Sequence, residues 1–437
     1  MSWGVALRNA VGLGLSGIPS LSSGNKSPTL QFNFRNTSTL SPLITFTRAS
    51  NATYFDSTGT LQTATSNTPR FDYSPSTLES LGLLIESQRT NGIRNSTAAG
   101  GSAGVLPTNW TSNIPIDGLT MTISAPGVES GITYIDLRIQ GTTTLARATI
   151  NLVGFENTTT IAALSGQTWT SSAFVKLQAG SLSGFNSVGV QISERAAAGT
   201  NLASSGANFT PTSASLASQR RSVTRLLTNA STAFVTQNII LSYPLGAVID
   251  ATFRVGLPQT EQGAFASSPI QTSTTALTRA ADSATVTGAN FSSWFNNVEG
   301  SFVIDFGPYG NGGASVNAGL FQIDNGTSTE SIRDFVGSAV SPVFQVSVGG
   351  VNQAYLSAGT LSSTAVSKIA SSYQANYFAK SANGAVAEFD ASGSVPTVSN
   401  MILGSGSGGV TPINGYLRSF SYYSKALSNQ KLQSLST

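Results

Sequence analysis

The 437-residue chain contains no histidine and no cysteine. Without histidine, a Ser-His-Asp triad, an imidazole general base and a His-ligated zinc are excluded. Without cysteine there is no disulfide, no thiolate nucleophile, no thiolate-bound metal and no iron–sulfur cluster. Charge is scarce as well. Asp, Glu, Lys and Arg make up 9% of the residues, against about 25% in an ordinary globular domain. The net charge of +3 is a small excess of scattered residues, and no dense basic patch is visible, so nucleic acid is not an expected partner. No run reaches the ~18 apolar residues of a membrane-spanning helix, and no membrane partner is expected. Catalysis, if any, would rest on carboxylates, Lys, Tyr or an oxygen-ligated metal.

What is present is material for a core: 40% of residues are hydrophobic and 8% aromatic. The composition is not that of a disordered chain, and its length exceeds a single core. Ser, Thr, Asn and Gly must carry solubility in place of charge.

The opening segment, MSWGVALRNAVGLGLSGIPSL, lacks the basic start and unbroken apolar stretch of a secretory signal. Val11, Leu13 and Leu15 alternate with Gly12, Gly14 and Ser16, a strand-like period of two. Two readings stand. The segment is a first strand of its own domain, or it is a docking peptide for another protein, in which case Trp3, Leu7, Arg8, Val11, Leu13, Leu15 and Ile18 carry the contact.

Downstream, short alternating runs separated by Gly, Ser and Asn turns predict strands throughout. Leu30, Phe32 and Phe34 alternate with polar residues; Ile132–Ile139, Ser171–Ala179, Val188–Arg195, Ser222–Thr228 and Ala251–Glu261 form one set. Gly300–Phe306, Leu320–Gly326, Val343–Gly350, Ser367–Tyr373 and Leu417–Ser424 form another. Turn signals every 8–12 residues or so imply β-sandwiches. ALSNQKLQSL near the C-terminus is the one expected helix, with Ser428 as N-cap. The expected fold is therefore all-β. A docking segment (1–24) precedes a small β module (25–95), and two sandwiches follow (96–275 and 276–437).

Residues 43–91 carry FTRAS (Phe46 to Ser50), TYFDSTGTLQTA, PRFDY (Pro69 to Tyr73) and LGLLIESQRTN (Leu81 to Asn91). This string resembles a module recurrent in structural proteins of tailed bacteriophages. FRVGLPQTEQGAFASSPIQT (Phe253 to Thr272) resembles the last strand and exit of carbohydrate-binding-module-like jelly rolls. GSFVIDF and GYLRSFSYYSKALSNQKLQSL resemble the opening and closing parts of a concanavalin A-like or laminin-G-like sandwich. The resemblance implies a virion protein: a tail fibre, a neck or head appendage, or a capsid decoration. Its partners would be capsid, neck or tail proteins, a host-surface glycan, and further copies of itself, with a trimer favoured.

Several residues are candidates for chemistry. A glycosidase sets two carboxylates about 5–9.5 Å apart. Asp305 with Asp324, and Glu388 with Asp390, are the candidate pairs, but acids of a solvated strand or turn are the favoured reading. Calcium is the other carboxylate option, through Asp324-Asn325-Gly326 and Asp282, but no ligand motif fixes it. Otherwise no cofactor is expected. Trp110, Trp169, Trp294 and the Tyr422–Tyr423 pair are candidate sugar platforms or core residues. Arg220, Arg221 and Arg225 are an edge-strand guard or a phosphate site. The sequons, Asn36 and Asn290 among them, match a chain rich in Asn, Ser and Thr. The balance favours a non-enzymatic structural protein. A carboxylate-dependent polysaccharide depolymerase and a non-viral adhesin are the alternatives.

Overall fold

The computed structural model describes residues 27–35, 37–310, 317–406, 409 and 411–437. The docking residues expected between Trp3 and Ile18, and Asn36, lie outside the described residues.

The chain is all-β, and the alternation in the sequence sets the faces. In Glu299–Tyr309, Phe302, Ile304 and Phe306 point into a core while Asp305 points out. This strand and its neighbours build the first sheet of a sandwich. From one edge the order is Glu388–Asp390, Tyr377–Ala382, Ser367–Gln374, Glu299–Tyr309, Gly415–Tyr423, Ser80–Ile85 and Phe71–Tyr73. The facing sheet runs Thr45–Thr47, Ser283–Thr287, Asn400–Leu403, Ala318–Asp324, Ser331–Val336, Pro342–Val348 and Val351–Leu356.

These orders correct the linear arrangement. The stretch 25–95 is not a module with its own core. Its strand Leu30–Asn33 pairs antiparallel with the end of Gly415–Tyr423, and Ser80–Ile85 pairs with the beginning of the same strand. Thr45–Thr47 joins the other sheet beside Ser283–Thr287. Phe32, Phe34, Ile44, Phe46, Phe71, Leu83 and Ile85 are buried in one core with Phe302, Phe321 and Phe420. The physical reason is area: a few short strands cannot bury both of their apolar faces alone. Gly82 marks the junction of sheet and segment. Its φ is +112°, and a Cβ there would stand 2.2 Å from the Leu417 carbonyl oxygen.

The second sandwich is inserted within the first. Its sheets run Arg220–Leu226, Thr168–Gly180, Val248–Gln262, Ile132–Thr142, Leu119–Ile123, facing Arg147–Gly154, Phe234–Tyr243, Ser187–Arg195, Asn201–Phe209. Its core is separate and includes Ile135, Leu152, Val190, Ile239 and Phe253. The chain leads in through Arg89–Asn91 and leads out through Leu277–Arg279, and these two strands pair with each other. The hairpin of Ala52–Phe55 and Leu61–Ala64 leans on the insert: Leu61 packs with Ile132, Phe174, Leu216 and Leu257. Residues 27–91 thus tie both sandwiches together.

The expected C-terminal helix is present as Asn429–Leu435, and the Ser428 side chain accepts from the Lys431 N–H. It is not alone, because Ala289–Ser292 forms a second short helix.

The first sandwich also holds an ion pair between its sheets. Lys380 and Asp334 are fully buried and bonded to each other, and Ser371 donates to the same carboxylate. In Lys380→Met the Asp334 carboxyl can take up a proton and keep the Ser371 bond. We expect a loss of about 2 kcal/mol, largely recovered in Lys380→Met/Asp334→Leu. Urea titration of the three proteins checks this; a double variant no more stable than the single one would contradict it.

Candidate functional site

The charged residues of FTRAS, PRFDY and LGLLIESQRTN converge on the seam between the sandwiches. Arg48 of FTRAS reaches Asp282 at 3.1 Å, and Arg70 of PRFDY reaches Asp282 at 2.5 Å and Glu86 at 2.8 Å. Arg279 approaches Glu86 at 2.8 Å and donates to Ser268 at 2.7 Å. Ser268 N–H and Oγ donate to Glu86 in turn. On the insert side, Glu261 accepts from Gln259 and Ser267, with Arg89 at 3.6 Å. Burial alone would raise the Glu86 pKa, but Arg279, Arg70 and the Ser268 bonds hold it at about 2. The charged residues of these strings are therefore an internal fastener. Nothing in the local pattern announces this, since the partners are remote; Arg48 and Asp282 are 234 residues apart.

Beside the fastener a cleft of about 770 Å³ opens between the two sandwiches. The insert supplies Trp169 and Gln262, the leading-in strand supplies Arg89, the following segment Arg94, and the loop after Gln262 supplies Phe265. Asn414 comes from the first sandwich. Trp169 is mostly buried, and its Nε1 donates to Gln167 at 2.9 Å. Phe265 is half-buried, with the Arg89 guanidinium 5.0 Å from its ring centre. Arg94 is held by a two-pronged bond to Glu156 at 3.0 and 2.9 Å, and Gln262 is exposed. An apolar ring, fixed cations and the exposed Gln262 amide in one concave site suit a flat polyhydroxylated ligand.

Of the expected platforms, only Trp169 lines this cleft. Trp110 is buried edge-on to Phe155 and donates to the Asn95 carbonyl. Trp294 donates to the Asn290 carbonyl and packs on Phe291 and Tyr422. Tyr422 is fully buried and Tyr423 nearly so. Sequence reasoning did not single out Phe265, Arg89 or Gln262 for this site. The signal available was an aromatic in a Gly/Ala/Ser loop directly after a strand, GAFASS.

The carboxylate pairs are not assembled. Asp305 and Asp324 sit on the outer faces of opposite sheets, with the core residues Ile304, Phe306 and Ile323 between them. Asp305 approaches Arg418 at 3.4 Å, while Asp324 accepts from Gln322 and the Gly326 N–H. Glu388 and Asp390 do share a strand face, as their spacing indicated. Each is engaged in a loop: Glu388 accepts from the Ser357 N–H and Asp390 from Ser392. The calcium grouping also fails. Asp324 pairs opposite Asn400, and Asn400 opposite Thr287, five residues from Asp282; at a rise of about 3.3 Å that is roughly 16 Å. Among the described residues no three acidic side chains gather as a metal site.

The arginine triplet disperses. Arg225 pairs with Glu194 at 2.5 Å, Arg221 donates to Gln219, and Arg220 turns toward Ser267 and Ser172. Their strand is the outer edge of its sheet, the position an edge guard takes, and no phosphate cradle forms.

No family model matches the chain, and no curated protein matches it. Among solved structures, it is similar to the CBM40 module of the Ruminococcus gnavus IT-sialidase bound to α2,3-sialyllactose, with 16% identity over 34% of this chain and 88% of that one and a TM-score of 0.30. It is also similar to the NanB sialidase of Streptococcus pneumoniae, with 16% identity over 35% and 26% of the two chains and a TM-score of 0.28. A heptameric SAP-like pentraxin of Limulus polyphemus shows 13% identity over 32% and 70%, with a TM-score of 0.24.

Proposed function

We propose that this chain is a structural protein of a tailed-bacteriophage virion that binds a host-surface glycan in the cleft between its sandwiches. The virion part rests on the resemblance of residues 43–91 to phage structural modules. The glycan part rests on one observation: Trp169, Phe265, Arg89 and Gln262, from separate elements, face one cleft of about 770 Å³. A protein with low charge and an oligomeric, trimeric arrangement on a particle would gain avidity from many weak sites. The scattered, engaged carboxylates support binding over hydrolysis. The N-terminal segment would dock on capsid, neck or tail, and calcium plays no part in this reading.

The test is a glycan array with the purified full chain, followed by titration of any hit against Phe265→Ala and Gln262→Ala. Both positions are surface-accessible, so the fold should persist. A central aromatic contact is worth about 2 kcal/mol or more, so Phe265→Ala should weaken binding at least roughly tenfold. Unchanged affinity in both variants removes the cleft from consideration. Release of reducing sugar by the wild-type chain would favour the depolymerase instead. Immunogold labelling of particles addresses location: label absent from intact virions would refute the virion assignment.

A further inference from the structure

Next to the cleft lies a second, smaller cavity of about 360 Å³, room for roughly a dozen waters. Phe265, Gly310 and Asn414 line both spaces, so the two adjoin. All three parts of the fold meet here: the segment 27–91, the insert and the first sandwich. Its polar groups divide into two kinds. The carboxylates have their donors already. Glu86 accepts from Arg70 and Ser268 and is ion-paired with Arg279, and Asp72 accepts from the Phe55 and Tyr73 N–H groups and from Tyr416 at 2.9 Å.

Two side chains keep a donor that has not been used, the Tyr309 hydroxyl and the Arg220 Nε. The Tyr309 hydroxyl belongs to a side chain that is 7% exposed, and it has no hydrogen-bond partner. Arg220 makes no ion pair among the described residues. Its guanidinium donates to the Ser267 carbonyl at 2.6 Å and to Ser172 Oγ at 3.0 Å, and its Nε is buried without a partner. A buried donor without an acceptor costs free energy comparable to a lost hydrogen bond; Glu261 and Glu86 act on the Arg220 charge from a distance, without a direct ion pair. Burial also pushes the Tyr309 hydroxyl up to about 12, so it stays a donor at neutral pH. The missing group is thus an acceptor, and a negatively charged one would supply the direct ion pair that Arg220 lacks. Part of the remaining wall is apolar: Leu81, Leu84, Pro269 and Pro308 join Phe265.

We propose that this cavity is a subsite for the carboxylate-bearing ring of an acidic glycan, a uronic acid, with the carboxylate toward Arg220 and Tyr309 and the ring against Phe265 and the prolines. The subsite rests on the glycan reading above and narrows it to acidic sugars.

The experiment titrates D-glucuronate, D-glucose and acetate into the full chain, observed by ligand NMR, for the wild type, Tyr309→Phe and Arg220→Lys. Tyr309→Phe removes only a hydroxyl, and a preserved thermal transition confirms that it is folded. The expected order is glucuronate well ahead of glucose and acetate. Loss of one bond to a charged group should weaken glucuronate roughly tenfold in Tyr309→Phe. Arg220→Lys keeps the charge and loses the planar fork, and should weaken it as well. Glucuronate binding no better than glucose, or equally well to Tyr309→Phe, overturns the subsite. If neutral glycans still bind through Phe265 in that event, the cleft reading survives alone. Acetate binding as tightly as glucuronate would make this a plain anion site and also defeats the proposal. If no sugar binds at all, both fall.

Discussion

A fragment beginning at residue 276 should not fold, although it contains the whole of the sandwich expected over 276–437. Seven large apolar side chains of the core it must form come from upstream: Phe32, Phe34, Ile44, Phe46, Phe71, Leu83 and Ile85. At about 1.5–3 kcal/mol each, their loss removes roughly 10–20 kcal/mol of burial, as much as the whole net stability of a domain. The strand Gly415–Tyr423 would also lose both of its partners on one side. The complementary chain should fold. If residues 93–275 are replaced by a short flexible linker, 27–92 and 276–437 can still meet, because Asn91 and Leu277 already stand opposite each other in paired strands, about 5 Å apart at Cα. That chain should be less stable than the parent, since Leu61 and Ser268's partners lose their cover. Urea titration followed by circular dichroism distinguishes the two. A single cooperative transition from the 276–437 fragment would refute the interleaved arrangement.

This is also where sequence reasoning stopped. Alternation in Leu30–Phe34 or Leu81–Ile85 tells which side chains share a face, because the period of a strand is local. It does not tell which edge the strand joins, and Thr29 and Ser424 bond across 395 residues of sequence. The strands and the Ser428 cap were therefore legible, while the nesting of one sandwich inside the other was not. Arg48, Arg70 and Arg279 escaped notice for a different reason: their acids lie in other segments. Only folding shows that they satisfy one another. The cleft was half legible: Trp169 was a candidate, but a binding surface assembled from several elements has no single stretch that displays it. Arg220 was noticed as part of a basic triplet, whereas its isolation from Arg221 and Arg225 depends on where the strand sits.

The largest single-residue effect should come from Asp282→Ala. Both oxygens of this carboxylate are occupied, by Arg48 on one side and Arg70 and the Glu86 N–H on the other. Arg48 and Arg70 are themselves fully buried. Unlike Asp334 in Lys380→Met, a guanidinium cannot escape by changing protonation state, so the truncation leaves uncompensated buried charge and should cost about 3–5 kcal/mol. The double variant Asp282→Ala/Arg48→Met should cost less than the sum, because one stranded cation is gone. Acid should act on the same fastener through Glu86. Its folded pKa of about 2 lies below the ordinary 4.5, so its stabilising contribution is complete above about pH 4.5 and is lost as pH falls toward 2. That shift corresponds to about 3 kcal/mol. Asp72 works in the opposite sense. Burial raises it to about 6 despite its hydrogen bonds and the nearby Arg70, so its cost is absent in acid and develops as pH climbs from about 4 to 6. Stability measured against urea from pH 7 to pH 2 should accordingly keep its Asp72 component in Glu86→Gln and lose the steep acid limb. If Asp282→Ala melts within about 0.5 kcal/mol of the parent, the range of an ordinary surface substitution, the charged seam does not hold the two sandwiches together.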